Sequence, residues 1–570
     1  MLSSLLRYTT GRSASQARPP TQLPSNHNAE NDTASAIAGE LARVKALGEH
    51  ERALVGNIYT DPEKLWLALE ASDGSATCIL RASWFKKQRD ARMPKRGDEL
   101  PPEATITVAE LRDISRRAKC KYGALPVIAL SHFWRTKEHP DPDGETMKLV
   151  VTALEQRWHE FERMGVTDLG ILVDWCALWQ PPRETPEKEA AFEAGLKGIN
   201  LWYAHQGTTV WLVTGDADRV NGKTYWDKGW TSFEFALAML IKPANSSRVK
   251  DWPQVVDLGK EGNAQTAFAR PALSEPLAFF SGHVYGDKTY TNGADRDTIV
   301  APKFQETMFQ VMGGVHTLNF GKLNWGDVEI EALAIVLPLC GQLRELKVHG
   351  NSFGDAGMIA LVGAIGAIES LKELWLGGNR RIGDAGVEAL ASACAGGAMA
   401  KLEKLWLDDN QIGDAGVSAL VKACDTPGAM AQLKELFLFG NKITDKGCSE
   451  LARACVRGAM ANLENLWLFQ KLGPIGVDGV AALDIVEARK ARPQLRVRLT
   501  DPRMKSKILW QKTAHDLTDP ESQAKAQDQD QEPRPRAKTQ DGAGPWEGAH
   551  APGSRISHHT SVISDSSHEC

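Results

Sequence analysis

The stretch 343-LRELKVHGNSFGDAG-357 returns three times downstream. The copies are 371-LKELWLGGNRRIGDAG-386, 402-LEKLWLDDNQIGDAG-416 and 433-LKELFLFGNKITDKG-447. Their first leucines, Leu343, Leu371, Leu402 and Leu433, are 28, 31 and 31 residues apart. Degenerate copies flank them at Val315 and Leu463. Positions one, four and six of each phrase are apolar (Val348 takes the sixth place in the first regular copy) and the residues between alternate outward. That is the pattern of a short strand with one buried face. Each copy then runs into a small apolar helix such as GVEALASACAGG. One such unit cannot bury its own apolar side, so the copies must stack on one another.

The phrase LxxLxLxxN at this period resembles the leucine-rich repeat in its longer, ribonuclease-inhibitor-like form. The resemblance implies a solenoid, or horseshoe, over residues 313–500, with about six units and an atypical one at each end. Asn351, Asn379, Asn410 and Asn441 match the family's ladder asparagine, whose amide serves turn backbone groups that would otherwise be buried unpaired. Asp355, Asp384 and Asp414 stand where a helix N-cap belongs, and Asp445 follows a threonine in that slot. The first degenerate copy has Leu323 in the asparagine slot and the last has Lys471, before a helix start that reads GPIGVDG. Cys394, Cys424 and Cys455 recur at equivalent helical positions and read as buried small hydrophobes.

The outward residue between apolar positions four and six is Asn319, Lys347, Trp375, Trp406, Phe437 and Trp467 along the array. Adjacent strands lie about 4.8 Å apart, so the four aromatics form a ladder on the concave face, with Phe439 and Phe469 beside it. Two readings are open. The rings stack on each other, at roughly 0.5–1.5 kcal/mol per pair, or they form a partner site, as large exposed aromatic patches often do. The candidate partner-binding set is Lys347, Trp375, Trp406, Phe437, Phe439, Trp467 and Phe469.

The chain has 570 residues, with 42% apolar and 24% charged side chains, the composition of a globular protein with several domains. A net charge of −5 argues against a general nucleic-acid binder. The nine cysteines include no C-x-x-C pair and no zinc spacing, so no metal site is expected and a reducing, cytoplasmic setting fits. No apolar run approaches about 20 residues, so no membrane span is expected. Before Glu30 the chain carries Arg7, Arg12 and Arg18 and no acidic residue. Residues 1–33 therefore read as a disordered leader or as an organellar transit peptide. Residues 34–118 read as a helical and irregular region, with a helical pattern up to Leu69. Residues 501–570 are Gln-, Asp-, Pro-, Ser- and His-rich and read as a mostly disordered tail.

Residues 119–243 alternate strand and helix signals. ALPVIALSHFW, DLGILVDWCALWQ and TTVWLVTG read as buried strands. GETMKLVVTALEQRWHEFERMG, EKEAAFEAGLKGINLWYAHQG and GWTSFEFALAML read as helices. This order predicts a parallel sheet covered by helices on both faces, with ligands at the carboxyl ends of the strands. The groups placed there are Ser131, His132, Trp134, Arg135, Asp174, Trp175, Cys176, Gln180 and Arg183.

ALSHFW, VDWCALWQ and LWYAHQGTTVWLV resemble the HET (heterokaryon incompatibility) domain, with His132 in place of a tyrosine and with Asp174 and Cys176 one residue closer than in the family. The order of elements also resembles the TIR domain, whose W-x-x-x-E motif supplies the glutamate of NAD-cleaving members. Here Trp230-Thr231-Ser232-Phe233-Glu234 has that spacing. The resemblance implies a TIR-like α/β domain that self-associates or cleaves NAD. Glu234, Trp230 and Asp174 are then the candidate catalytic residues, and Ser131, His132, Trp134, Arg135 and Arg183 the candidate nucleotide-binding ones. NAD would be a substrate, and no cofactor is required. The chemistry is compatible, because a carboxylate stabilises the oxocarbenium-like state of N-glycosidic cleavage. Trp230 and Glu234 also lie one turn apart on one helix face. The alternative is that Trp230 is packing and Glu234 an ordinary helix acid.

Between Pro243 and Gly313 lies a connecting region, 244–312, with no G-x-x-x-x-G-K-[ST] loop. It is too short for the nucleotide-switch domain of immune receptors that join these two parts. Its last stretch, DTIVAPKFQETMFQVM, reads as a helix that docks on the first repeat. Two functions compete: a sensor-effector whose repeats bind a protein and whose α/β domain cleaves NAD, and a non-enzymatic scaffold that self-associates and recruits partners.

Overall fold

The computed structural model describes residues 57–70, 77–97, 100–118, 124–215, 222–242, 254–259, 273, 288–290, 292–468 and 479–498. The 1–33 leader, residues 34–56 of the expected N-terminal helix, Phe469, the 471–478 helix start and the 501–570 tail lie outside the described residues.

In the N-terminal half, apolar runs too short to make helices form a five-stranded sheet. The strands are β1 (Leu80–Arg81), β2 (Val127–Ser131), β3 (Gly170–Leu172), β4 (Thr209–Leu212) and β5 (Val255–Asp257), in the order β1-β3-β2-β4-β5. β2, β3, β4 and β5 are parallel. Every residue of β2, β3 and β4 is buried, as expected where helices cover both faces. The connecting helices are Glu145–Arg163, Pro186–Ala204 and Gly229–Ala238. The first is started by the buried carboxylate of Asp141, which accepts from Thr146 N at 2.9 Å and Met147 N at 3.0 Å.

Two parts of the sheet come from outside residues 119–243. β1 pairs antiparallel with β3, and β5 pairs parallel with β4. The sheet is therefore mixed at one edge and takes in a strand from each side of residues 119–243. β1 and β5 lie in stretches with neither a long apolar run nor a repeat phrase, so the sequence carries no strand signal there.

Lys242 is buried, and its ammonium serves the carboxyl end of the Pro186–Ala204 helix. Nζ donates to the carbonyl of His205, to Thr208 O at 2.6 Å and to Thr208 Oγ1 at 2.9 Å. Burial, with the Lys242 charge second, pushes the His205 imidazole down to about 3. Lys242→Met is expected to destabilise the protein by about 2–4 kcal/mol, since buried carbonyls lose their donor. Urea unfolding followed by circular dichroism measures this, and an unchanged midpoint contradicts it.

The C-terminal half is a seven-stranded parallel sheet: β6 (Thr317–Asn319), β7 (Glu345–Lys347), β8 (Glu373–Trp375), β9 (Lys404–Trp406), β10 (Glu435–Phe437), β11 (Asn465–Trp467) and β12 (Arg496–Arg498). Leu318, Leu346, Leu374, Leu405, Leu436, Leu466 and Val497 form one buried row across it. The seventh strand exceeds the six units expected, because the phrase around Val497 has Gln494 in the first position, where the other six are apolar. The ladder asparagines are buried as expected. Asn441 Nδ2, for example, donates to Leu407 O and Leu438 O, both at 2.8 Å, joining two adjacent turns.

The aspartates differ from expectation. Asp355, Asp384 and Asp414 are the first residues of their helices, and each caps the helix of the next unit rather than its own. Asp384 Oδ1 accepts from Gly413 N at 2.7 Å and Gly416 N at 2.9 Å. Asp327, Asp355 and Asp414 make the equivalent pairs. An aspartate ladder thus runs beside the asparagine ladder. It explains the second glycine of G-D-A-G: a Cβ on Gly416 would lie 2.7 Å from Asp384 Oδ1.

The three column cysteines are free thiols. Cys394 and Cys455 are buried and Cys424 is half-buried, in keeping with a packing role. The stretch expected to dock on the first repeat is the helix Ala301–Gly314, entered through a π turn at Arg296–Val300. One continuous apolar core runs from Tyr59 through this helix into the repeats.

Candidate functional site

Two places among the described residues gather side chains that the sequence singles out. The first is at the carboxyl end of β2. The chain leaves β2 for β3 on one side and returns to β4 on the other, so the strand order reverses there. In parallel sheets such a reversal opens a crevice between loops. Ser131, the last residue of β2, is hydrogen-bonded to Glu234 Oε2 at 2.6 Å, and its Oγ lies 2.6 Å from Tyr225 Oη. Tyr203 Oη donates to Leu130 O at 3.1 Å beside them. Glu234 is only 7% exposed. Burial pushes its carboxyl well above the ordinary carboxylate range, and the charge of Asp174 adds to the rise. Hydrogen bonds to Ser131 and Tyr203 oppose it in part. The environment favours the neutral acid.

The other residues singled out in the sequence occupy distinct places. Asp174 opens a short helix, Asp174–Ala177, and its Oδ2 accepts from Trp134 Nε1 at 2.9 Å. Trp134 meets Trp175 edge to face at 5.2 Å. His132 is buried, and its Nε2 makes no hydrogen bond among the described residues. Arg135 holds the loop after β2 through its backbone N–H, which donates to Pro140 O. Arg183 turns to the Pro186–Ala204 helix, where Nε meets Glu189 at 2.5 Å and the guanidinium covers Phe192 at 3.9 Å. Trp230 is half-buried and its Nε1 donates to Asp295 Oδ2 at 3.0 Å. Cys176 is buried among core residues. Tyr203 and Tyr225 were not foreseen. Tyr203 stands in the quoted LWYAHQG, while Tyr225 carries no local signal.

The second place is the concave face of the repeats. Trp375 and Trp406 stack with centroids 4.0 Å apart, Trp406 and Phe437 at 5.0 Å, and Phe437 and Trp467 at 5.4 Å. The interplanar angles are 25°, 5° and 20°. Lys347 Nζ sits 4.7 Å from the Trp375 ring at one end, and the Arg498 guanidinium 4.4 Å from the Trp467 ring at the other. The ring faces are therefore used within the protein, by each other and by the two cations. All four rings remain half-buried, as does Phe439 two residues beyond Phe437. Stacking and partial exposure coexist: the faces are used within the protein and Trp375 Nε1 donates to Glu373 Oε2 at 3.3 Å, yet each ring stays half-buried.

Charged rows flank the ladder. Lys404 bridges Glu373 at 3.1 Å and Glu435 at 4.0 Å, and Lys347 bridges Glu345 at 2.5 Å. Further along the strands, Glu403 lies between Lys372 at 2.6 Å and Lys434 at 2.8 Å. Hydrogen bonds from these two lysines hold its carboxyl down to about 2. The rows fix side chains beside the rings without adding a large field of one sign.

No group of three or more His, Cys, Asp or Glu side chains among the described residues could hold a metal ion. No helix among the described residues is long and apolar enough to cross a membrane. Residues 343–362, 368–391, 398–421 and 431–452 match the leucine rich repeat family model. Comparison with curated proteins gives no match. The array is a leucine-rich-repeat solenoid, a fold that generally presents a surface for protein binding.

Proposed function

We propose that this is a protein-interaction and signalling protein whose repeats bind a protein partner through the ladder Trp375–Trp406–Phe437–Trp467. The observation that carries the reading is a continuous stack of four half-buried rings, fixed in place before any partner arrives. Prealigned, half-buried rings bury further apolar area at little conformational cost, which is what binding hot spots need. Lys347 and Phe439 extend the surface, and Phe469 follows them in sequence. The N-terminal α/β unit then acts as a HET/TIR-like scaffold that self-associates while the repeats recruit.

The test is a paired substitution, Trp406→Glu with Phe437→Glu. Partner capture is expected to fall at least tenfold while circular dichroism and the unfolding midpoint of the array stay within the wild-type range. Capture unchanged in a folded variant contradicts the reading.

A second reading is NAD cleavage by the α/β unit. It is favoured by Glu234 lying with Ser131 at the strand-order reversal, where Asp174, His132 and Trp134 also gather. In it, Glu234 stabilises the ribosyl cation and Trp230 stacks on a base. Burial of Glu234 as the neutral acid and engagement of Trp230 with Asp295 favour the scaffold. Incubation of the full chain with NAD decides between them. Nicotinamide release lost in Glu234→Gln supports the enzyme, and no release at high protein concentration supports the scaffold.

A further inference from the structure

The described residues 288–290 and 292–300 lie across the start of the Glu234 helix and run directly into the helix that leads into the repeat array. Thr289 N donates to Asp227 O at 2.9 Å, and Gly229 N donates to Thr289 O at 3.0 Å. Lys288 Nζ donates to the carbonyl of Trp226. The Tyr290 ring lies on Gly229 so closely that a Cβ there would be 2.0 Å from Tyr290 Cζ. Five residues later Asp295 accepts from Trp230 Nε1 at 3.0 Å. This segment therefore grips the turn Tyr225–Asp227 and the first residues of the Gly229–Ala238 helix.

That turn is not inert. It carries Tyr225, whose hydroxyl lies 2.6 Å from Ser131 Oγ, and Ser131 in turn holds Glu234. Lys228 at its end also lies over the Phe133 ring, beside His132. At the other end the segment becomes the Ala301–Gly314 helix. That helix is tied to the α/β unit by a buried polar set. Asn200 Nδ2 donates to Thr307 Oγ1 at 2.8 Å and to Tyr59 Oη at 2.7 Å, and Tyr59 Oη donates to Gln310 Oε1 at 3.2 Å. Phe304 of the helix meets Phe233, next to Glu234, at 6.5 Å.

We propose that residues 288–290 and 292–300 form a strap that couples the Ala301–Gly314 helix, which leads into the repeat array, to the Glu234 cluster. A shift of the Ala301–Gly314 helix loosens the 225–229 turn and with it the Tyr225–Ser131–Glu234 bonds. Loosening of the cluster shifts the helix in return, since coupling between two sites is reciprocal. A chain of packed and hydrogen-bonded groups supplies the physical continuity that such coupling needs. The strap does not depend on what the concave face binds, so a failed partner assay leaves it standing.

Hydrogen–deuterium exchange of the full chain tests it. Asp295→Ala removes the Trp230 bond. Exchange in 225–238 and also in 301–314 is expected to rise at least tenfold, with 371–452 unchanged. Thr307→Val, at the far end, is expected to raise exchange in 225–238 by a similar factor. A merely structural contact loosens only its own neighbourhood, so each variant affecting one segment alone overturns the proposal. If Asp295→Ala fails to fold, Asp295→Asn weakens the same bond and carries the same two outcomes.

Discussion

Replacing Asp384 with alanine is expected to lower the unfolding free energy by about 2–4 kcal/mol. The carboxylate accepts from Gly413 N and Gly416 N, the N-cap residue and the third residue of the next unit's helix. Losing it leaves two partly buried N–H groups unpaired at about 1–3 kcal/mol each, reduced where water reaches them. It also removes a negative charge from the positive end of that helix. Because neighbouring units share their interfaces, the loss spreads along the array instead of staying within one repeat. Asp384→Asn keeps an acceptor and is expected to lose about 1 kcal/mol. Urea unfolding followed by tryptophan fluorescence reads both values. Equal, small losses for the two variants would contradict an inter-repeat cap.

The second large effect lies at Glu234 and depends on pH. Its folded carboxyl is pushed above the unfolded value by burial and by Asp174. Above the ordinary value of 4.5 the unfolded chain has released this proton while the folded protein still holds it. Stability contributed by this group is therefore fully present below that value and falls as pH rises, until the folded group titrates. The slope is about 1.4 kcal/mol per pH unit within the window. Glu234→Gln cannot release the proton and still offers a polar partner to Ser131. The variant is expected to match the wild type near pH 4.5 and to exceed it in unfolding midpoint at pH 7–8. A variant less stable than wild type at pH 8, with no change in the gap between pH 5 and 8, would show that Glu234 is held as the anion.

The repeat was legible because the same solution is written four times in succession, so each copy corrects the reading of the others. Its apolar positions, its asparagines and the aromatic column all follow from a register that one strand fixes and its neighbours repeat. The aspartates show where that legibility stops. A spacing of about 30 residues between equivalent positions does not say which of two adjacent helices an aspartate serves, and only the stacked structure assigns Asp384 to Gly413 and Gly416. β12 carries a weaker signal because Gln494 breaks the apolar first position that the other six units share.

The α/β unit was legible only in its longer elements. β2, β3 and β4 lie in apolar runs that fit strands buried on both faces, whereas β1 and β5 lie in mixed text outside the strand–helix alternation of 119–243. At the carboxyl end of β2, Ser131 and Glu234 were named, but their bond spans 103 residues of chain. Tyr225 came from a turn with no motif. The strap was hidden for the same reason: Asp295 reaches Trp230 across 65 residues, and no local pattern records such a contact. The same contact ties the Trp230 indole to that segment.

The aromatic ladder as a working surface is tested most directly by a photo-crosslinking residue placed at Phe437, with an equivalent probe at Ile359 as control. Ile359 is 52% exposed on a repeat helix, and Phe437 stands in the ring stack. Irradiation in native extract is expected to give one dominant protein adduct from position 437 and none from position 359, with excess unlabelled wild-type chain suppressing the adduct. Adducts of equal yield from both positions, or none from position 437 in a folded protein, would contradict a partner surface on the concave face.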